Sequence, residues 1–250
     1  MSFRGILVII SVMMIIAGCT SETNKTSTEN KVEDYHPTIP LPEFNADSAF
    51  AFLKQQVDFG PRIPGTKAHA QCADWMKSKM LSYGLEVTEQ NGMMKTYDAK
   101  SFNLRNIISA YRPDLKRRLL LCAHWDTRPF ADRDENNNDK PFDGANDGAS
   151  GVAVLMEIAR LIQESKPEIG IDFIFFDLED YGDAEGRVPD SWCLGSQFWS
   201  KNLHVPGYSP AYGILLDMVG GKDAIFPKEG TSMKYAPGVV NKDWSMARSL

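Results

Sequence analysis

Three apolar runs in this chain each end in acids, the arrangement that builds a cation site at the edge of an open α/β sheet. Leu119 to Ala123 leads into His124-Trp125-Asp126, Ile171 to Phe176 into Asp177-Leu178-Glu179-Asp180, and Tyr212 to Leu216 into Asp217. A fourth acid, Asp147, lies in Gly144-Ala145-Asn146-Asp147-Gly148-Ala149-Ser150-Gly151, just before the amphipathic run Val152 to Ile162. If the three runs are parallel neighbours, their carboxyl ends open on the crevice where such sheets bind ligands. Carboxylates gathered there repel one another unless a cation sits among them. The expectation is a metalloenzyme.

Each residue type suits a different task. Asp147 stands beside a helix start, where the dipole and free amides favour an anion by roughly 0.3 to 1 kcal/mol and keep it ready to ligate; an aspartate in Asn-Asp-Gly is also an ordinary turn former. Glu179 and Asp180 are adjacent at a strand end, so their side chains diverge, one toward a metal and the other toward substrate. Asp217 follows an apolar strand, and burial without a partner would raise its pKa, making it a metal ligand or a proton-sharing acid. His124 either ligates a metal or is oriented by Asp126. His36, His69 and His204 have no chemically suggestive neighbours in the sequence.

The elements that must position these groups can be read from periodicity. Asp47 can cap a helix carrying Phe50, Phe52, Leu53 and Val57, and Thr66 a second one carrying Cys72, Trp75, Met76 and Met80, which Gly84 ends. Strands are expected near 85–90, 105–110, 119–124, 171–176 and 214, with helices over 150–162 and near 195–201. The polar segment 127–146 is a long loop of the functional kind. Nearly unbroken apolar strands alternating with amphipathic helices predict an α/β fold, a three-layer α/β/α sandwich around a central, mostly parallel twisted sheet. An apolar helical face formed by Val240, Trp244, Ala247 and Leu250 ends the sequence without a cap, which suggests a chain cut short inside its domain.

Composition narrows the partners. The 250 residues carry a net charge of -6 and are 43% hydrophobic, enough for one good-sized core and without the basic stripe that nucleic acid requires. Arg117 and Arg118 read as a solvated strand entry. Residues 1–18 have the pattern of a signal peptide, and Ile16-Ala17-Gly18-Cys19 resembles a bacterial lipobox, so Cys19 is expected to carry a lipid anchor to the membrane. Residues 19–43, rich in Ser, Thr, Asn, Glu and Lys, form a solvated tether before a catalytic domain over 44–250. The mature protein is then extracytoplasmic, a periplasmic or outer-membrane lipoprotein. Cys72, Cys122 and Cys193 cannot make a disulfide framework, and Cys72 and Cys122 read as core residues.

Beyond these readings, the chain resembles a known family, the secreted zinc aminopeptidases and the glutaminyl-peptide cyclotransferases built on the same fold. The resemblance rests on Phe59-Gly60-Pro61-Arg62-Ile63-Pro64-Gly65, Asn106-Ile107-Ile108, His124-Trp125-Asp126, the segment 144–151, Phe175-Phe176-Asp177-Leu178-Glu179-Asp180, Leu194-Gly195-Ser196 and Leu216-Asp217-Met218-Val219-Gly220, in that order from about residue 44 to 250. Thr127-Arg128-Pro129 after Asp126, Asp177-Leu178-Glu179-Asp180 and Trp192 make it more similar to the bacterial glutaminyl cyclases. The resemblance implies that Asp147 and Asp180 hold one zinc, Glu179 is the acid/base, Asp217 shares its proton, and Trp192 lines the pocket for peptides with N-terminal glutamine. It also implies a zinc-ligating histidine near the C-terminus, and none follows His204. Asp180 stands where a glutamate is more usual and reaches one methylene less far. In the rival reading, a two-zinc aminopeptidase, His124 and Asp217 ligate a second metal and Asp147 bridges. A third reading is a surface lipoprotein that only binds peptides.

Overall fold

A computed structural model describes residues 41–249. Cys19, the signal segment, most of the tether and Leu250 lie outside the described residues. The elements run α1 (Ala46–Asp58), α2 (Lys67–Ser82), β1 (Glu86–Lys95), β2 (Ser101–Tyr111), β3 (Arg118–His124), α3 (Ala149–Ser165), β4 (Gly170–Phe176), α4 (Leu194–Lys201), β5 (Gly213–Leu215), α5 (Gly230–Tyr235) and α6 (Pro237–Ser249). The strand order is β1-β2-β4-β3-β5. β1 and β4 run antiparallel to β2, and β3 runs parallel to both β4 and β5, so four of the five strands point the same way in a mixed open sheet.

β4 lies at the centre and is buried at every position, which is why Gly170 to Phe176 is almost unbroken apolar sequence. Phe173 and Phe175 pack with α1, α2 and α3 on one face, against Phe52, Met76, Val152 and Met156. Ile174 and Phe176 pack on the other face with Ile108, Cys122 and Trp199 of α4. These are the three layers expected from the sequence. Cys72 and Cys122 are buried core residues.

Four local expectations are corrected. The cap of α1 is Asn45, which accepts from the Ser48 amide at 2.8 Å, two residues before the expected Asp47. Asp47 instead supplies negative charge to the first turn, where the dipole favours it equally well. β1 continues through Asn91-Gly92 to Lys95, because its antiparallel register with β2 runs on to Lys95 opposite Ser101. Arg118 is a structural cation: it pairs with buried Asp172 through two bonds of 2.7 Å, and Tyr208 donates to the same carboxylate at 2.8 Å. Lastly, β5 is shorter than the expected run from Tyr212 to Leu216, three residues paired with β3.

The sheet order brings the carboxyl ends of β3, β4 and β5 side by side, with His124 directly opposite Phe176 in the register. Among the described residues no helix is long and apolar enough to cross a membrane.

Candidate metal centre

His124 is the last residue of β3 and is buried at the sheet end. Its Nε2 lies 3.0 Å from Asp147 Oδ1 and 3.4 Å from Asp217 Oδ1, while Nδ1 lies 3.6 Å from Asp126 Oδ1. His124, Asp147 and Asp180 each offer one ligand atom, and those atoms all fall within 4.8 Å of one another. The sequence-derived acids therefore converge, and His124 belongs to the same donor group as Asp147 and Asp180.

The glycine-rich loop reaches His124 because Gly148 adopts φ +94°, and a side chain there would meet the Asp126 carbonyl at 2.8 Å and the imidazole at 3.3 Å. Arg62 braces this loop. Its buried guanidinium donates to the carbonyls of Asp143 and Gly144, the latter at 2.8 Å, and its own carbonyl accepts from Thr127 N. The turn around Arg62 thus fixes the loop that carries Asp147, a role that the sequence motif alone did not disclose.

Asp177, Glu179 and Asp180 divide three tasks. Asp177 is fully buried and structural: it accepts from His69 Nε2, Arg105 N and Leu178 N, each at 2.8 Å. His69 also stacks on Trp125 with ring centroids 4.2 Å apart, so this histidine, unremarkable in the sequence, holds the end of β4. The two residues are 108 positions apart, and no local pattern links them. Leu178 then turns the chain through φ +55°. Asp126 holds the next two amides, accepting from Glu179 N at 3.1 Å and Asp180 N at 3.2 Å.

Asp180 enters the donor group, whereas the Glu179 carboxylate turns to Ser196, accepting from its amide at 2.7 Å and its hydroxyl at 2.9 Å. Burial, reinforced by the Asp126 charge and opposed by the Ser196 bonds, pushes Glu179 up to about 7. Burial and the charges of Asp126, Asp147 and Asp217 push Asp180 up to about 8, against the pull of His124. The hydrogen bond from His124 holds Asp147 below the usual carboxylate range. For His124 itself burial acts to lower the pKa, but the surrounding carboxylates outweigh it and raise the imidazole well above its ordinary value. This much negative charge around one imidazole fits a divalent cation, which would stabilise the ionised acids and the neutral histidine together.

Asp217, two residues after β5, faces the same imidazole, with its side chain 42% exposed and its Oδ1 3.4 Å from His124 Nε2.

A cleft of about 650 Å³ opens beside the donors, lined by Asp147, Asp180, Arg128, Phe142, Trp192 and Met218 among others. The Trp192 ring lies flat over Gly182, where a side-chain carbon would meet ring atoms at 2.1 Å, and its Nε1 donates to the Asp183 carbonyl at 3.3 Å. The Arg128 guanidinium sits 4.7 Å from the Trp192 ring centroid, and the same side chain donates to the carbonyls of Asp180 and Gly182. Arg128 thus ties the aromatic wall to the strand end carrying the metal-site acid.

The chain is similar to known proteins over most of its described length. The chain is 51% identical to a Zn-dependent exopeptidase from Parabacteroides distasonis, with a TM-score of 0.82, over 84% of this chain and 73% of that one. It is 52% identical to the glutaminyl cyclase of Tannerella forsythia, with a TM-score of 0.80, over 83% of this chain and 73% of that one. A glutaminyl-peptide cyclotransferase of Bos taurus is 31% identical over 152 residues, 52% of this chain and 40% of that protein. The chain spans about half the length, or less, of the curated cyclotransferases it matches. Residues 106–245, over half of the chain and including every metal-site residue described above, match the model of peptidase family M28, and the chain belongs to that family.

Proposed function

We propose that this site is that of a zinc-dependent glutaminyl-peptide cyclotransferase, converting N-terminal glutamine of peptides to pyroglutamate with release of ammonia. The observation that carries the reading is the 52% identity to a bacterial glutaminyl cyclase across 83% of this chain. His124, Asp147 and Asp180 are the donors available to the metal, and Trp192 forms a wall of the substrate cleft.

Zinc, when bound, supplies Lewis acidity toward the side-chain amide oxygen of the substrate. The peptide's own α-amine attacks the amide carbon, forming the ring C–N bond as the bond to the amide nitrogen breaks. One proton must leave the attacking amine and one must reach the departing nitrogen, so a single group can take the first and return it as the second. Glu179 is that group, with a pKa of about 7 that suits both directions near neutral pH. The Trp192 face lines the cleft beside the donors, where it offers an apolar surface for the substrate to pack against.

The deciding experiment supplies the zinc-loaded protein with a Gln-initiated peptide and measures ammonia, pyroglutamyl peptide and free amino acids. Ammonia release without peptide-bond cleavage is expected. Liberation of N-terminal amino acids would establish a two-zinc aminopeptidase instead, the reading favoured by His124 Nε2 lying close to both Asp147 and Asp217. There Glu179 would draw the proton from an attacking water.

Trp192→Ala is expected to lower kcat/KM for the peptide by about 10-fold, chiefly through KM, because an aromatic wall contributes binding shared by ground and transition states. An unchanged KM in steady-state kinetics would remove Trp192 from the substrate cleft.

For location, we infer from Ile16-Ala17-Gly18-Cys19 and the polar stretch after it that the protein is held at a membrane by acylation of Cys19. Cys19→Ser should move it from the membrane to the soluble fraction of cell extracts, and unchanged partitioning would exclude the anchor.

A further inference from the structure

Leu194-Gly195-Ser196 carries no task in the reaction described so far, yet it is built into the catalytic acid's surroundings. Helix α4 begins without a cap of its own: Cys193, at φ 58°, makes no side-chain capping bond. The acceptor for its first turn comes from across the chain, since Glu179 Oε1 takes the Ser196 amide at 2.7 Å and Oε2 takes the Ser196 hydroxyl at 2.9 Å. Both carboxylate oxygens are thereby fixed by one residue.

The approach depends on Gly195. A side-chain carbon there would lie 2.0 Å from the Asp177 carbonyl and 2.7 Å from Asn106 Oδ1. Asn106 bridges the same junction, accepting from Asp177 N at 2.9 Å and donating to the Gly195 carbonyl at 3.0 Å. The start of α4 is thus pressed onto the end of β4, and Ser196 falls beside Glu179 as a result.

Ser196 Oγ has a second acceptor, the Cys193 carbonyl at 3.1 Å. The hydroxyl hydrogen can turn to either acceptor, while the backbone amide is committed to Glu179. We propose that Ser196 is a positioning residue that, through its amide and its hydroxyl together, fixes the Glu179 carboxylate in one orientation. The proposal rests on the acid/base assignment of Glu179 made above.

The test uses the full-length, zinc-loaded protein. Ser196→Ala should lower kcat about 10-fold with KM and zinc content unchanged, the size expected for losing a hydrogen bond to a charged group. Ser196→Thr, which keeps the hydroxyl, should recover most of the loss. In a Glu179→Ala background the same Ser196→Ala change should cost nothing further in kcat, and in chemical denaturation its stability cost should shrink there to that of the remaining bond to the Cys193 carbonyl. Equal losses in both backgrounds, loss of zinc, or no recovery with threonine would overturn the proposal. If the wild-type protein frees amino acids instead of ammonia, the cyclase reading fails while the same comparison, read on hydrolysis and on denaturation, still decides the role of Ser196.

Discussion

Glu179→Gln is expected to lower kcat for cyclisation by about 10² to 10⁴-fold while bound zinc stays at the wild-type level. The glutamine side chain has the same shape and can still accept from the Ser196 amide, so the junction between β4 and α4 keeps its geometry. It cannot take a proton from the α-amine and return it to the leaving nitrogen. The effect belongs in kcat because the lost interaction exists only as the proton moves. Zinc stays because the Glu179 carboxylate faces Ser196 and lies outside the group formed by His124, Asp147 and Asp180. Loss of zinc on this substitution, measured by elemental analysis after gel filtration, would show that Glu179 is a ligand and would reverse its assignment with Asp180.

The convergence of acids was legible in the sequence because it follows from local features. An apolar run marks a buried strand, an acid at its carboxyl end marks the crevice, and the order of such ends in an α/β sheet brings them together. Asp180 follows from this pattern, His124 stands at such a strand end with its role left open between ligand and oriented residue, and Asp147 follows from the glycine-rich turn before α3, while the zinc roles of Asp147 and Asp180 came from the family resemblance. What stayed hidden depends on pairing between distant segments. His69 looked like any helical histidine until Asp177 came to lie 2.8 Å away, and Arg62 looked like part of a turn until the loop after Asp143 folded back over it.

β1 shows a local signal that misleads. Its Asn91-Gly92 has the local chemistry of a turn but lies in register with Arg105 and Leu104 of β2. Pairing with the neighbouring strand outweighed the local signal.

Asp180→Ala is expected to lose zinc and activity together, with metal affinity falling by more than about 100-fold. Even residues that only orient metal ligands cost about 10 to 100-fold when replaced, and Asp180 is read as a ligand itself. Its side chain is also the short form of the acid more usual at this position in the family it resembles, so no spare methylene lets a neighbour take over. The substitution removes a carboxylate that burial and three like charges make costly to ionise, so without a metal the variant fold should be no less stable than the wild type. That sets the test: zinc affinity by competition with a chelator, and denaturation midpoints with and without metal. Loss of affinity together with an undiminished metal-free midpoint supports ligation, whereas a protein that unfolds readily and still binds zinc would make Asp180 a structural residue. His124→Ala then counts the ions. In the two-zinc arrangement it should remove one of two, and in the one-zinc arrangement an unchanged single zinc would leave His124 as an oriented neighbour of Asp126 while a vanished one would make it a ligand.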